Sequence, residues 1–429
     1  MNIVFLSIVM IAFGAAGWRQ LHWAAAAGAA SPMEVLSKAM VTAAANSVEL
    51  ALGLIGVMAL FLGLMKVAEA GGLLRILARL IRPLMVRLFP DVPPDHPAMG
   101  AMILNMSANA MGLGNAATPF GIRAMQELDT LNSRPGTATD SMALFLAINT
   151  SSVTLLPTGV IALRAAAGSK DPAGILSTTL FATVCSTLAA ICAAFAYKRF
   201  FRKDRPEEIP GAHARRAADT EEMPLDDAAE AYPAWVSILA IAFLAACVPL
   251  AMLWGTAVSP WVIPGLMVGF LGFGLARRVR VYEVFVEGAK EGFRVAVKII
   301  PYLVAILVAV DMFRASGAME TMVHILGPWT AKIGLPPEAL PMAIVRPLSG
   351  SGAYGVLASL INDPKIGPDS YVGYLVSTLQ GSTETTFYVL AVYFGAVQVR
   401  RIRHTLAAAL TADVVGIMAA VAICSYLYG

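Results

Sequence analysis

The sequence is poor in charge. Of its 429 residues only 14% are Asp, Glu, Lys or Arg, against about 25% in soluble domains. That excludes an ordinary cytosolic enzyme and a charge-rich disordered chain. Thirty-one basic residues face 28 acidic ones, a net charge of +3, too balanced for a nucleic-acid binder. The four cysteines, Cys185, Cys192, Cys247 and Cys424, show neither paired nor metal-like spacing, which excludes a disulfide-stapled scaffold and reads as buried helix residues. The five histidines, His22, His96, His213, His324 and His404, fall near expected helix ends or in loops and form no ligand constellation. With no Ser-His-Asp spacing and no HExxH element, no enzyme, no catalytic residue, no metal and no cofactor is expected. No Gly-rich loop ending in GK[ST] is present, which argues against an ATP-driven pump.

Apolar residues fill the space that charge leaves. They make up 58% of the chain, or about 64% with glycine counted and tyrosine omitted, above the roughly 45–50% of soluble domains. The expected class is an all-α polytopic membrane protein. A crossing needs about 20 mostly apolar residues, and nine charge-poor stretches qualify: 3–17, 49–65, 141–163, 174–197, 235–254, 262–275, 297–312, 371–397 and 406–427. The pair at 235–254 and 262–275 is separated at Gly255 and at Ser259-Pro260. The first stretch lacks the basic lead of a secretory signal and reads as an uncleaved crossing.

Basic loops set the orientation. Lys198-Arg199-Phe200-Phe201-Arg202-Lys203 opens a charged, Pro-interrupted linker running to Glu230. Arg277-Arg278-Val279-Arg280 and Arg400-Arg401-Ile402-Arg403 are two further clusters. Lys66, Arg75, Arg79, Arg82 and Arg87 recur at near-helical spacing and predict an amphipathic helix on the membrane surface. Placing all four clusters inside puts the N-terminus in the cytoplasm and the C-terminus in the periplasm. Two uncharged or nearly uncharged stretches rich in small and polar residues, 97–122 and 339–362, upset this arrangement if they cross. As two re-entrant hairpins they satisfy it, and irregular backbone at that depth must be buried in protein or line a wet cavity.

The halves resemble each other. Asn105-Met106-Ser107-Ala108-Asn109-Ala110 matches Pro347-Leu348-Ser349-Gly350-Ser351-Gly352, and Asp140-Ser141 with Asn149-Thr150-Ser151-Ser152 matches Asp369-Ser370 with Thr378-Leu379-Gln380-Gly381. The expected division is a first repeat over 1–198, a charged linker with its own helix over 199–257, and a second repeat over 258–429. Five crossings separate equivalent points, so the repeats must have inverted topology. Paired interrupted segments in inverted repeats point to a secondary transporter with a midplane site.

The candidate solute contacts follow. Helix ends inside the membrane offer unpaired N–H and C=O groups. Ser349 and Ser351 add hydroxyls and close backbone approach, while Asn105 and Asn109, four apart, share one helical face. Packing of small polar residues between helices is the competing reading. Glu384 lies midway along an otherwise uncharged expected helix, where a carboxylate costs a few kcal/mol. Its repeat counterpart is Leu155, so it is expected to accept from a solute or carry a proton, or else to pair with Arg346. Arg346, opposite Leu104 in the repeat, is expected either to bind an anion or to neutralise Glu384. Asp413 is a second coupling candidate. Asp311 and Arg314 are expected to snorkel at a helix end.

Asn105-Met106-Ser107-Ala108-Asn109-Ala110-Met111-Gly112-Leu113-Gly114-Asn115-Ala116-Ala117-Thr118-Pro119 resembles the spore maturation protein A family. Arg346-Pro347-Leu348-Ser349-Gly350-Ser351-Gly352-Ala353 and Gln380-Gly381-Ser382-Thr383-Glu384-Thr385 resemble the spore maturation protein B family. Each half is also similar to the nucleoside-recognition, or gate, domain shared with concentrative nucleoside transporters and bacterial ferrous-iron transporters. The resemblance implies a bacterial inner-membrane carrier with solute contacts at Asn105, Ser107, Asn109, Asn149 to Ser152, Ser349 to Ser351 and Gln380 to Glu384, Thr383 included. The first half lacks a carboxylate there, a departure from the ribose-binding pattern. The expected function is transport of a small polar solute, nucleoside-like or an anionic metabolite, coupled to H+ or Na+. The alternatives are a carrier or flippase of an envelope lipid intermediate, and a non-transporting envelope scaffold. Expected partners are membrane lipids, the solute and a second copy in a homodimer.

Overall fold

The computed structural model describes residues 2–24, 30–112, 117–200 and 232–429. The charged stretch 201–230, with His213, and positions 113–116 of the first hairpin motif lie outside the described residues. The described residues are helical, apart from loops and one isolated bridge between Thr137 and Arg401. The first half runs α1 (Asn2–Leu21), α2 (Pro32–Ala70), α3 (Leu73–Leu88), α4 (Pro97–Ala110), α5 (Thr118–Thr130), α6 (Asp140–Thr150), α7 (Thr158–Ala166) and α8 (Ile175–Tyr197). The second half runs α9 (Ala234–Ala276), α10 (Val281–Ala315), α11 (Ala318–Thr330), α12 (Leu340–Val345), α13 (Gly350–Ile361), α14 (Tyr371–Ser382), α15 (Thr386–Ala396) and α16 (Thr405–Tyr428).

Among the described residues, length and composition qualify α8 and α16 as membrane spans, and a third if the bent pair 55–70 with α3 counts as one; the protein is a multi-pass membrane protein in character. The helices α8 and α16 pack side by side and antiparallel. Tyr428 Oη donates to the Gly174 carbonyl (3.0 Å) at one end, Ser186 Oγ to the Ala412 carbonyl (2.8 Å) midway, and Lys198 and His404 border one small cavity at the other end. The helices α2 and α10 are also antiparallel neighbours: Leu36 clusters with Met312, Ala51 with Leu307, and Gly63 meets Phe285. Glycine permits this approach, since a Cβ at Gly292 would lie 2.7 Å from Ala59 Cα and one at Gly288 2.6 Å from the Leu62 carbonyl. Small residues at such seams let helix backbones close in where lipid offers no hydrophobic drive.

The expected amphipathic helix is α3, carrying Arg75, Arg79, Arg82 and Arg87, while Lys66 belongs to α2. The chain bends by 68° between 55–70 and α3, at Gly72, whose φ of +87° only glycine adopts easily. The bend lays arginines on one face and Leu74 and Ile81 against the core. The basic clusters gather on that same face. Lys198 and Arg403 both bind Asp140, the end of α3 borders the same cavity as Lys198 and His404, and Gly274, just before Arg277, meets Val67.

Three expectations about elements need correction. Residues 234–276 form one hydrogen-bonded helix through Gly255 and Ser259-Pro260, not two helices with a break; the expected domain boundary at 257/258 therefore falls inside α9. Forty-three residues would span about 64 Å if straight, yet Tyr232 N–H donates to the Arg79 carbonyl (3.3 Å) and Gly274 reaches Val67, both on the basic face. Both ends of this helix thus contact the basic face. The expected crossings 141–163 and 371–397 are each interrupted instead: α6 and α7 are separated by residues 151–157, and α14 and α15 by Thr383, Glu384 and Thr385. His324 sits within α11 rather than at an end, and Cys192 on α8 is exposed while Cys424 is buried.

Each interrupted pair starts at an aspartate that the other half holds. Asp140, first residue of α6, accepts from Arg403 Nη1 (2.7 Å) and pairs with Lys198 (2.8 Å). Asp369, just before α14, pairs with Arg164 Nη2 (3.1 Å) and accepts from Lys170 N–H (2.7 Å). Arg164 is fully buried. Breaking a buried pair by removing one partner costs about 3–5 kcal/mol, and the 31% exposure of Asp369 puts Arg164→Met near the lower limit, about 3 kcal/mol. Arg403→Met leaves Asp140 its Lys198 partner, so it should lose less. Thermal unfolding of the detergent-solubilised protein checks the order; equal losses contradict it.

Candidate functional site

The two interruptions lie against each other. Glu384 N–H, in the break after α14, donates to the Thr150 carbonyl at the end of α6 (2.8 Å). A Cβ at Gly381 would be 3.3 Å from Pro157 Cβ in the other break. Because α6 begins on the basic face and α14 on the opposite one, the broken segments arrive from the two sides and stop at a common level.

Every broken end leaves carbonyls and N–H groups that a continuous helix would have paired. Side chains and neighbouring backbone take them up. Thr150 Oγ1 and Ser151 Oγ both donate to the Ala147 carbonyl (2.9 Å each), and Thr187 Oγ1 donates to the Ser151 carbonyl. Leu155 N–H, in the first break, donates to the Ala110 carbonyl at the end of α4 (2.9 Å), and Phe387 N–H, opening α15, donates to the Pro347 carbonyl (3.1 Å). The end of α14 is closed by Arg346, which sits between α12 and α13. Its Nε donates to the Gln380 carbonyl (3.1 Å), Nη1 to Thr385 Oγ1 (3.0 Å) and Nη2 to the Thr383 carbonyl. A cation at a helix C-terminus also meets the negative end of the macrodipole.

These contacts give Arg346 a further role beside the two set out for it. Its Nη2 stands 3.9 Å from Glu384 Oε2, a loose pair, and 40% of the Glu384 side chain is exposed against 8% for Arg346. The guanidinium is chiefly a helix cap, and the carboxylate is left open. Glu384 itself lies in the break, not midway along a helix as expected.

The first hairpin, α4 packed on α5, is bound to the same centre. Asn109 Nδ2 donates to Asn149 Oδ1 (2.9 Å), tying α4 to the end of α6, and Asn149 Nδ2 donates back to the Phe145 carbonyl (3.2 Å). Asn105 Nδ2 donates to the Ala117 carbonyl (2.8 Å) and to Tyr393 Oη (3.3 Å) on α15. Ser107 turns away from the centre and donates to the Ile103 carbonyl of its own helix (2.8 Å). Ser349 caps α13, accepting from Gly352 N–H (3.0 Å), with Ser351 Oγ 3.5 Å away. Asp413 on α16 accepts from Thr386 Oγ1 at the start of α15 (2.7 Å) and is buried.

After this pairing, buried side-chain oxygens at the centre keep no partner among the described residues, Asn105 Oδ1, Ser152 Oγ, Gln380 Oε1 and Asp413 Oδ1 among them, together with Thr179 Oγ1 beside Gly381. Asn105, Gln380 and Asp413 offer pure acceptors, Ser152 and Thr179 hydroxyls. Buried polar atoms are seldom left unpaired in proteins, so these are free valences for donors that the chain does not supply. Residues the sequence reading did not single out are Tyr393, Thr386, Thr187 and Arg164. Arg164 binds not the centre but the far face, and snorkelling of Arg314 is replaced by a pair with Asp363 (2.9 Å).

Lysine at position 346 would keep the charge but lose the planar fork that reaches three acceptors. Arg346→Lys should therefore remain folded and lose about 2 kcal/mol, the worth of a charged hydrogen bond. Thermal unfolding in detergent reads this, and unchanged stability would show that the cap is dispensable.

A family model described as nucleoside recognition (Gate) matches residues 51–199 and 296–400, which contain both interrupted pairs. Spore maturation protein B of Bacillus subtilis (strain 168) is 46% identical over 168 residues, covering 39% of this chain and 93% of that protein. Spore maturation protein A of the same organism is 47% identical over 159 residues, 37% of this chain and 81% of that protein. Inner membrane protein YjiG of Escherichia coli (strain K12) is 34% identical over 84 residues, 19% of this chain and 55% of that protein. No solved structure matches the chain. The chain belongs to the nucleoside recognition (Gate) family.

Proposed function

We propose that the chain is a secondary-transporter-like carrier of the bacterial inner membrane. It moves a small polar solute through two inverted repeats, each giving a re-entrant hairpin and an interrupted helix to a shared centre. The observation that carries this reading is the meeting of the two breaks, Thr150 against Glu384, beside buried acceptors without partners. The antiparallel packing of α2 on α10 and of α8 on α16, each helix beside its equivalent in element order, supports inversion. The gathering of the basic clusters on one face supports a cytoplasmic N-terminus and a periplasmic C-terminus.

The chemistry of the open valences favours one solute class. Asn105 Oδ1, Gln380 Oε1 and Asp413 Oδ1 accept but do not donate, and the donors of Arg346 are engaged by Gln380, Thr383 and Thr385. An anionic metabolite would meet acceptors. A nucleoside, with hydroxyl and amino donors, would pair with them, and H+ or Na+ would be held by Glu384 and Asp413. A second reading, a non-transporting envelope scaffold, draws on the close packing of the hairpin amides, Asn109 on Asn149.

Uptake of radiolabelled nucleosides into proteoliposomes tests the proposal. Wild type should accumulate at least one, whereas Glu384→Gln and Asp413→Asn should lose about tenfold or more of the gradient-driven rate while remaining in the membrane. Unchanged uptake in Glu384→Gln removes the assigned role. A folded wild type that moves none of them supports the scaffold.

A further inference from the structure

Two arginines hold equivalent aspartates at opposite faces, yet they are not equally satisfied. On the far face Arg164 gives Nη1 to the Pro368 carbonyl (2.6 Å) and Ser377 Oγ (3.2 Å), and Nη2 to Ser169 Oγ, the Asp171 carbonyl and Asp369 (3.1–3.2 Å). Its guanidinium lies 4.2 Å over the Tyr374 ring. On the basic face Arg403 uses Nη1 alone, on Asp140 and on the Ala138 carbonyl (3.1 Å). Among the described residues its Nε and Nη2 have no partner, although only 6% of the side chain is exposed; Arg164 Nε is likewise unpaired, so the difference lies in Nη2.

Arg403 borders a cavity of about 240 Å³ that Asn132, Arg134, Thr139 and Ser141 also line. The N-terminus of α6 forms part of the wall, with Thr139 Oγ1 accepting from Met142 N–H (3.1 Å), so the positive end of the helix dipole faces the space. A smaller cavity of about 70 Å³ adjoins at Asp91, Asp140 and Ser141 and adds Lys198. Asp91 is exposed at the rim, and Asp140 is already held between Arg403 and Lys198. Arg134 and Arg403 line the larger cavity and Lys198 the smaller one, while Asp140, shared by Arg403 and Lys198, and Asp91 line both. The unpaired guanidinium edge is the second observation beside the helix end.

We propose that this cavity is a phosphate site, separate from the interrupted helices and independent of the transport reading. Arginine forks match the oxygens of phosphate, and threonine, serine and asparagine supply further donors. The space is smaller than the roughly 300–1,000 Å³ that encloses a whole drug-sized ligand, so it takes a phosphate group and not an entire nucleoside. Its place at the membrane face admits two sources of the same chemistry, the headgroup of an anionic phospholipid or a free phosphate from the water.

The test uses the full chain in detergent and in lipid nanodiscs. Thermal unfolding is followed against inorganic phosphate, with chloride at matched ionic strength as control. Retention of phosphatidylglycerol against phosphatidylcholine is followed by native mass spectrometry. The expected result is saturable stabilisation by phosphate, selective retention of phosphatidylglycerol, or both, weakened about tenfold or more in Arg403→Gln and in Arg134→Gln. Stabilisation without lipid selectivity assigns free phosphate, and lipid selectivity without stabilisation assigns the headgroup. If Arg403→Gln does not fold, Arg134→Gln carries the comparison. Neither effect in wild type, or binding unchanged in Arg134→Gln, overturns the proposal.

Discussion

A helix that stops in the packed interior must hand its end groups to something, and the rest of this molecule is arranged around that demand. Two helices stop in this way, at Thr150 and at Ser382, and each is resumed a few residues later. Each unpaired backbone group would cost several kcal/mol in hydrocarbon. The partners found for them are Arg346, Glu384 N–H, Thr187 and the hydroxyls of Thr150 and Ser151. The second half closes α14 with its own Arg346, whereas the end of α6 also takes Glu384 N–H from the other half. The long antiparallel pairs α2 with α10 and α8 with α16 brace the two halves, and the aspartate clamps at the faces pin where each broken helix begins.

The same demand explains why the centre is polar and still not self-sufficient. Capping uses donors: the Arg346 guanidinium and the Asn105 and Asn109 amide N–H groups all point at carbonyl or amide oxygens. What is left over is a set of acceptors and one partly open carboxylate. The centre is thus assembled largely from groups that close helix ends, with acceptors left over.

Much of this was legible in the sequence. Charge scarcity identified the membrane class, the arginine spacing identified α3, and the repeat identified Asp140 with Asp369 and both polar motifs. The interruptions were not legible as such: 141–163 and 371–397 are apolar enough to read as single crossings, and only the small polar runs Thr150-Ser151-Ser152 and Ser382-Thr383-Glu384 hint that backbone pairing stops there. Gly255 and Ser259-Pro260 read as a break in the sequence, whereas the helix runs through them. The capping of α14 by Arg346 was not legible, because the choice between anion, carboxylate and helix end depends on where carbonyls point, which is three-dimensional information. Tyr393 and Arg164 were missed for the same reason; their partners lie 288 and 205 positions away in the chain.

The central claim, that the broken helices end at a water-accessible polar centre, is tested most directly by thiol accessibility in intact membranes. On a background without native cysteines, Glu384→Cys should react with a small, water-soluble thiol reagent, while Val414→Cys, on the exposed outer surface of α16 at 60%, should stay unmodified in lipid. Position 384 remaining as unreactive as position 414 would contradict the account.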